Sequence, residues 1–510
     1  MVKFFFSDDS RTGRTLFFLA LFSGAALRFY APLSSDFPLM DGGMFLAAAR
    51  EVGGHSFALP STLPYPTIVP DIPFCYPPLA FYLVALLRLL GVSFETSLRF
   101  VPAFFSTACI WAMWRLGLAV FAGWEKRDSM AGLSASVFAL APWSSLPLFA
   151  GGGLTRAPGF FLALWGVERA VVFWRDGDKR AFWGATVLLA LCLATHLERA
   201  RFFAIALLVV WLAYNRSWRG LARVFACIGA AVLLCSPWWG LCLARFGSAP
   251  FLAAYNSGSR DWVGPPRWMT AYGAEYKPLL VWFSLLGMLI YWRRLPFLWL
   301  WFGVIVMTEV RSGRSFISAP ESLATAAMFF RVGASQGNTT GPAPPRALWM
   351  LTRASLALIF AIRLGYEGIY GATHCTVLSR SPRAAMLWCR DHTSPEARFL
   401  VIPTYKGRHW AEELGGEWFP ALTGRAAPLT VQASEWLPNR GFARQQRRYN
   451  VLAWASNWAE FQRAVDVEPG VSYNYIFVPR TRSDIEAGVR ADPRWKLVFA
   501  NQGADIYARR

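Results

Sequence analysis

Apolar blocks of roughly 16–25 residues, separated by short charged turns, fill residues 15–368, and a more polar stretch runs on to residue 510. About 20 apolar residues cross the ~30 Å hydrocarbon layer of a bilayer as a helix, so blocks of this length read as membrane spans. Spans are expected at 15–35, 99–121, 129–149, 154–174, 181–195, 200–215, 221–242, 278–292, 296–310, 320–332 and 347–368, about eleven in all. The block 76–92 opens with Pro77-Pro78 and closes at Gly91, and it reads either as a short span or as an interfacial or re-entrant helix. Residues 370–510 carry a different pattern. RFLVIP (398–403) and NYIFVP (474–479) read as buried strands, and 495–509 as a hairpin turning at Asn501-Gln502-Gly503. HWAEELGG (409–416) reads as a helix stopped by its glycines, with EWFPALTGR (417–425) and SEW (434–436) on connecting loops whose Trp and Glu can shape an acceptor site or dock onto the outer loops. The fold class expected is a polytopic α-helical membrane domain over 1–369 with a small α/β domain over 370–510.

Charge adds an orientation. The net charge is +20, yet only 16% of residues are charged, and the basic ones sit largely at the ends of apolar blocks. That pattern fixes topology in a membrane. A nucleic-acid binder would gather a basic stripe on a soluble face instead, so no nucleic acid is expected. If 76–92 does not cross and the N-terminus is cytoplasmic, then 123–129, 174–180, 214–223 and 291–295 face the cytoplasm with Lys3, Arg11 and Arg14. If 76–92 does cross, every later basic turn faces outward, against the positive-inside rule. The first option gives eleven spans in the cytoplasmic membrane and an extracytoplasmic C-terminal domain. No small-x-small cleavage site follows the first block, so it reads as a span rather than a cleaved signal. The eight cysteines form no CxxC pair. Five lie in apolar segments as small buried hydrophobes, while Cys375 and Cys389 flank the last junction and leave a disulfide open.

The non-cytoplasmic connections are then 34–98, 151–159, 195–201, 243–277 and 309–315, and they collect charges that topology does not ask for. Asp41 precedes Gly42-Gly43, where backbone can approach a ligand closely. Arg156 follows three glycines, His196 and Glu198 share one turn, and Glu309, Arg311 and Arg314 share another. Arg28 lies near the outer end of the first span. This set suits an anionic lipid-phosphate whose head group lies at the interface. Each residue has a plainer reading too. Asp41 can be merely solvated, Arg156 can snorkel, His196 and Glu198 can cap helices, and the last three can be a loop ion-pair set. Asp41, His196 and Glu198 are the candidates for a divalent metal, short of the three or four convergent ligands that a site needs. The loop 243–277 exceeds a normal connector. Its Tyr255, Trp262, Trp268, Tyr272 and Tyr276 can stack on sugar as a lid over the acceptor, or anchor the interface.

FPLMDGGMFLAAAR (37–50), CYPPLAFYLVALL (75–87), 98–123 and LAPWSSLPLFAGGGLTRAPGFFLAL (140–164) resemble the GT-C superfamily of polytopic, lipid-linked-sugar-dependent glycosyltransferases, which includes the protein O-mannosyltransferases and the lipid A aminoarabinose transferases. The resemblance covers roughly 15–370. It implies an acidic general base in the first outer loop, which falls on Asp41, although many relatives carry an acidic pair there. It implies an Arg near the donor phosphate, which falls on Arg156, and further charged residues for the lipid phosphate, for which His196, Glu198, Glu309, Arg311 and Arg314 are the candidates. GLTRAPGFF lacks the acidic metal motif of the oligosaccharyltransferase branch. The resemblance also implies inversion at the sugar and a polyprenyl-phosphate sugar as donor, or a polyprenyl-diphosphate sugar as in some branches.

The residues fit that chemistry on their own terms. An acceptor hydroxyl attacks sugar C1 opposite the phosphate, Asp41 takes the proton, and arginines stabilise charge on the leaving phosphate. Phosphate leaves without protonation, so one carboxylate suffices where glycosidases need two. The acceptor can be a glycan, a lipid or a protein. Two other functions remain open: a transporter or flippase for a lipid-linked sugar, and a membrane-anchored structural or assembly factor. The chain shows no internal repeat of the kind many transporters carry.

Overall fold

A computed structural model of the chain describes residues 9–65, 72–149, 153–257, 278–308, 313–331, 375–439, 441–466 and 471–510, with isolated positions between 358 and 373. The N-terminal part is helical. Helix α1 (Asp9–Ser34), α4 (Phe94–Val120) and α7 (Gly153–Asp176) are each long and apolar enough to cross a membrane. A fourth crossing arises if α10 (Trp218–Leu234) and α11 (Ser236–Phe246), bent by 65°, act as one span. The bend has a cause in the sequence, because Pro237 in the first turn of α11 cannot continue the hydrogen-bond ladder. The eleven expected spans thus reduce to three or four that meet that test among the described residues. Between and after these lie α5 (Arg127–Leu140), α6 (Leu146–Phe149), α8 (Lys179–Leu193), α9 (Leu197–Tyr214), α12 (Ala249–Ser257), α13 (Pro278–Ile290), α14 (Pro296–Thr308) and α15 (Gly313–Arg331). The expected span 347–368 lies almost wholly outside the described residues.

One apolar core joins α1, α4, α5, α7, α8, α9, α10, α14 and α15. Phe18, Leu19 and Phe22 of α1 point away from it and are more than half exposed, as a helix solvated by lipid requires. Glycines let α1 and α5 touch: a Cβ on Gly132 would sit 2.5 Å from the carbonyl oxygen of Gly13.

The long loop after α1 is itself structured. It holds α2 (Gly43–Gly54), the two-stranded ribbon of β1 (Thr62–Leu63) and β2 (Ile72–Pro73), and α3 (Leu79–Leu89). Helix α3 has 11 residues, about 16 Å of length, too short to cross the hydrocarbon layer alone.

The C-terminal part is α/β. Strands β3 (Phe399–Val401), β4 (Tyr475–Pro479), β5 (Trp495–Ala500) and β6 (Ala504–Arg509) form a sheet in the order β3-β4-β6-β5, with β3 and β4 parallel and the rest antiparallel. Side chains alternate along a strand, and both faces of this sheet are buried. Leu400, Ile476 and Val478 pack on α19 (Trp458–Asp466) and α20 (Ser483–Ala491). Phe399, Val401, Phe477 and Ile506 join a second core that they share with α2, α3 and α17 (Leu414–Thr423). The loop after α1 and the α/β part therefore have one interior between them. Helices α16 (Arg380–His392) and α18 (Gly441–Trp454) complete this part.

Two expectations are corrected here. The glycines of HWAEELGG do not stop a helix. The Glu413 side chain accepts from the N–H groups of Gly415 and Gly416 and so starts α17, which runs through EWFPALT and stops at the left-handed Gly424. Cys375 and Cys389 are free thiols, like the other six.

Candidate active site

Asp41 sits in a turn that is held from both sides. Before it, Leu39 forms an antiparallel bridge with Val377, and the Met40 N–H donates to the carbonyl of Thr376 at 2.8 Å. Met40 takes a left-handed conformation with φ 53°, which a non-glycine residue adopts only where its surroundings impose it. Trp418 imposes part of it, since its indole N–H donates to the Met40 carbonyl at 2.8 Å and its ring packs on Phe37. After Asp41, the Gly42 N–H donates to both oxygens of Glu417, at 3.0 and 2.9 Å. The Met44 N–H reaches the same carboxylate at 3.4 Å. The glycines are needed for this approach: a Cβ on Gly43 would lie 2.4 Å from the carbonyl oxygen of Glu417, and one on Gly42 would lie 2.8 Å from the Trp418 ring.

The fold brings Arg156 to Asp41. Arg156 lies in the first turn of α7, and its Nη2 stands 3.8 Å from Asp41 Oδ2. Both side chains are partly open, at 33% and 24% exposure, so a ligand can reach them. Two helix N-termini, those of α2 and α7, converge on this pair, and helix N-termini favour anions. Beside Arg156, the hydroxyls of Thr155 and Tyr76 are 3.0 Å apart. Tyr76 in turn packs edge-on to His196 and Trp436. The turn between α8 and α9 is tied in by the Leu79 N–H, which donates to the Ala194 carbonyl at 2.9 Å. An apolar cleft lined by Met44, Phe74, Tyr76, Phe81 and Trp436 adjoins this group.

The other expected residues fall in different places. His196 is the residue before α9, and Glu198 lies in its first turn, partly exposed. Tyr255 projects from α12 at 71% exposure. Glu309, Arg311, Trp262, Trp268, Tyr272 and Tyr276 lie outside the described residues, as does the side chain of Arg314. Arg28 is corrected. It is fully buried and bonded within the protein, through Nε to the Ser106 hydroxyl (3.0 Å), Nη1 to the carbonyls of Ala139 (2.8 Å) and Gly24 (3.1 Å), and Nη2 to the Ser144 hydroxyl (3.0 Å). The reason is the end of α5. Pro142 has no N–H to offer the Phe138 carbonyl, which the Ser144 hydroxyl serves at 2.5 Å. Arg28 then satisfies the Ala139 carbonyl in an interior where an unpaired one is costly. Arg28 holds a broken helix together and is not placed to meet a phosphate.

Glu417 was expected only as part of a connecting loop that docks onto the outer loops or shapes an acceptor site, and Tyr65 and Arg199 were not expected. Glu417, at 1% exposure, comes to Asp41 from the α/β part. Burial, and then the charge of Asp41, pushes its carboxyl up to about 8, against the opposing bonds from Gly42, Met44 and Gly43. Tyr65 is buried, donates its hydroxyl to the Glu417 carbonyl and is pushed well up by that burial. Arg199, fully buried in α9, lies over the rings of Phe160 and Phe316. Among the described residues no group of three or more His, Cys, Asp or Glu is placed to hold a metal ion, so Asp41, His196 and Glu198 do not form a ligand set.

No family model matches the sequence, and no curated protein does. Solved structures do share its fold. The apo form of ArnT from Cupriavidus metallidurans is 12% identical, with a TM-score of 0.58 over 96% of this chain and 97% of that one. An archaeal oligosaccharyltransferase, AglB from Archaeoglobus fulgidus, is 13% identical, with a TM-score of 0.56 over 98% and 74%. The arabinofuranosyltransferase AftD from mycobacteria is 15% identical, with a TM-score of 0.53 over 97% of this chain and 41% of that one. AglB was solved in complex with a dolichol-phosphate, and ArnT also bound to undecaprenyl phosphate. The chain thus shares the fold of these structures.

Proposed function

We propose that this protein is an inverting glycosyltransferase that moves a sugar from a polyprenyl-phosphate donor to an acceptor hydroxyl at the outer face of the cytoplasmic membrane. The observation that carries the reading is the Asp41–Arg156 pair at 3.8 Å, a carboxylate from the loop after α1 and a guanidinium from the first turn of α7. Binding of polyprenyl phosphates by two proteins of the same fold supports the donor class. In the reaction the donor phosphate takes Arg156 at the positive end of α7. The acceptor oxygen attacks C1 from the opposite side, and a C1–O bond forms as the C1–O(phosphate) bond breaks. Asp41 accepts the hydroxyl proton. The electron pair leaves on the phosphate, whose growing charge Arg156 and the α7 N-terminus stabilise. No step requires a metal.

Mass spectrometry of lipids that co-purify with the protein tests this. A polyprenyl-phosphate sugar is expected on the wild type and is expected to be lost in Arg156→Ala. Folded wild-type protein that never carries or binds such a lipid would overturn the reading.

A further inference from the structure

Gly42 is the N-cap of α2 and has no side chain with which to cap it. The first N–H groups of the helix therefore need an acceptor from elsewhere. Asp41 is the nearest one in sequence, and aspartate bonds such groups readily. Were it to do so, its carboxylate would turn into the helix end and away from Arg156. Glu417 prevents this by taking the Gly42 N–H with both its oxygens, and the Met44 N–H with one.

Resting on the glycosyl-transfer reading above, we propose that Glu417 is a positioning residue for that reaction: it fills the N-terminus of α2 in trans and thereby keeps Asp41 turned toward Arg156 and the acceptor. The α/β part then completes the transferase site rather than merely accompanying it. The surrounding contacts serve the same end. Trp418, next in the chain, fixes the Met40 carbonyl, and the Tyr65 hydroxyl fixes the carbonyl of Glu417 itself. A glycine at 43 lets the backbone of α17 come this close.

The test compares Glu417→Ala and Glu417→Gln, each with and without Asp41→Ala, in the full chain in nanodiscs. With Ala at 417, transfer is expected to fall on the order of a hundredfold, because the base is misplaced, while binding of added undecaprenyl phosphate persists. Gln at 417 still offers an oxygen to the Gly42 N–H and is expected to restore most of the transfer. Thermal unfolding gives a readout independent of activity. Asp41→Ala is expected to lower the midpoint more in the Glu417→Ala background than in the wild type, because Asp41 has become the cap there. Should Glu417→Ala not fold, Glu417→Asp, one methylene shorter, takes its place with the same expectation. Equal Asp41→Ala effects in both backgrounds, or full transfer by Glu417→Ala, would overturn the proposal. If the wild type neither binds the lipid nor transfers sugar, the functional reading fails instead, and the thermal comparison alone decides the placement of Asp41.

Discussion

Arg28 and Asp41 were equally conspicuous charged residues, and their surroundings differ, Arg28 being fully buried and Asp41 partly open beside Arg156. Arg28 spends its donors on two carbonyls and two hydroxyls in a fully buried setting. Truncation would leave the Ala139 carbonyl unpaired, so Arg28→Ala is expected to cost about 2–4 kcal/mol of stability. Measured by thermal unfolding, that loss should come with retained polyprenyl-phosphate binding in the protein that stays folded. Loss of binding at unchanged stability would return Arg28 to the site. The sequence could place Arg28 near a span end but not choose its partners, because the choice depends on Pro142, whose missing N–H breaks α5 far away in the chain. Asp41 and Arg156 were legible because glycines beside a lone charge mark a close backbone approach. For Glu417 a general docking role was legible but its partner was not, since 375 positions separate it from Gly42.

Among elements, the helix ends decide most. Glycines 415 and 416 looked like a stop and are the first turn of α17, because Glu413 satisfies their N–H groups and no residue there needs a left-handed backbone. The start of α2 makes the opposite bargain and borrows its cap from α17. That junction should respond to pH. Glu417 has its carboxyl raised from the ordinary 4.5 to about 8 by burial and by Asp41. A raised folded-state value means that the folded protein holds the proton more tightly. The stability this contributes is full below the ordinary carboxylate range and is lost as pH rises through about 8. The thermal midpoint is expected to fall between pH 6 and pH 9 in the wild type and to fall less in Glu417→Gln. Parallel curves for the two proteins would contradict it. The strands of the α/β part were read with little error, since 398–403 and 474–479 are short apolar runs, while prolines inside apolar blocks end α5 early and bend the α10–α11 pair.

At the scale of the whole molecule, the long loop and the α/β part share one core, a closer union than the docking of separate domains that the sequence suggests. Hydropathy locates apolar segments, and among the described residues three or four helices are long and apolar enough to cross, with further apolar helices that are shorter. The shared core explains why the site has contributions from both ends of the chain: α7 supplies Arg156, the loop supplies Asp41, and the sheet-bearing part holds that loop in place. The central claim is that Asp41 and Arg156 are the transfer centre. The most direct measurement follows polyprenyl-phosphate sugars from envelope extracts in vesicles containing wild-type or Asp41→Asn protein. The wild type is expected to consume one such lipid and release its polyprenyl phosphate, and Asp41→Asn is expected to bind the same lipid without consuming it. Consumption by Asp41→Asn at the wild-type rate would contradict the account.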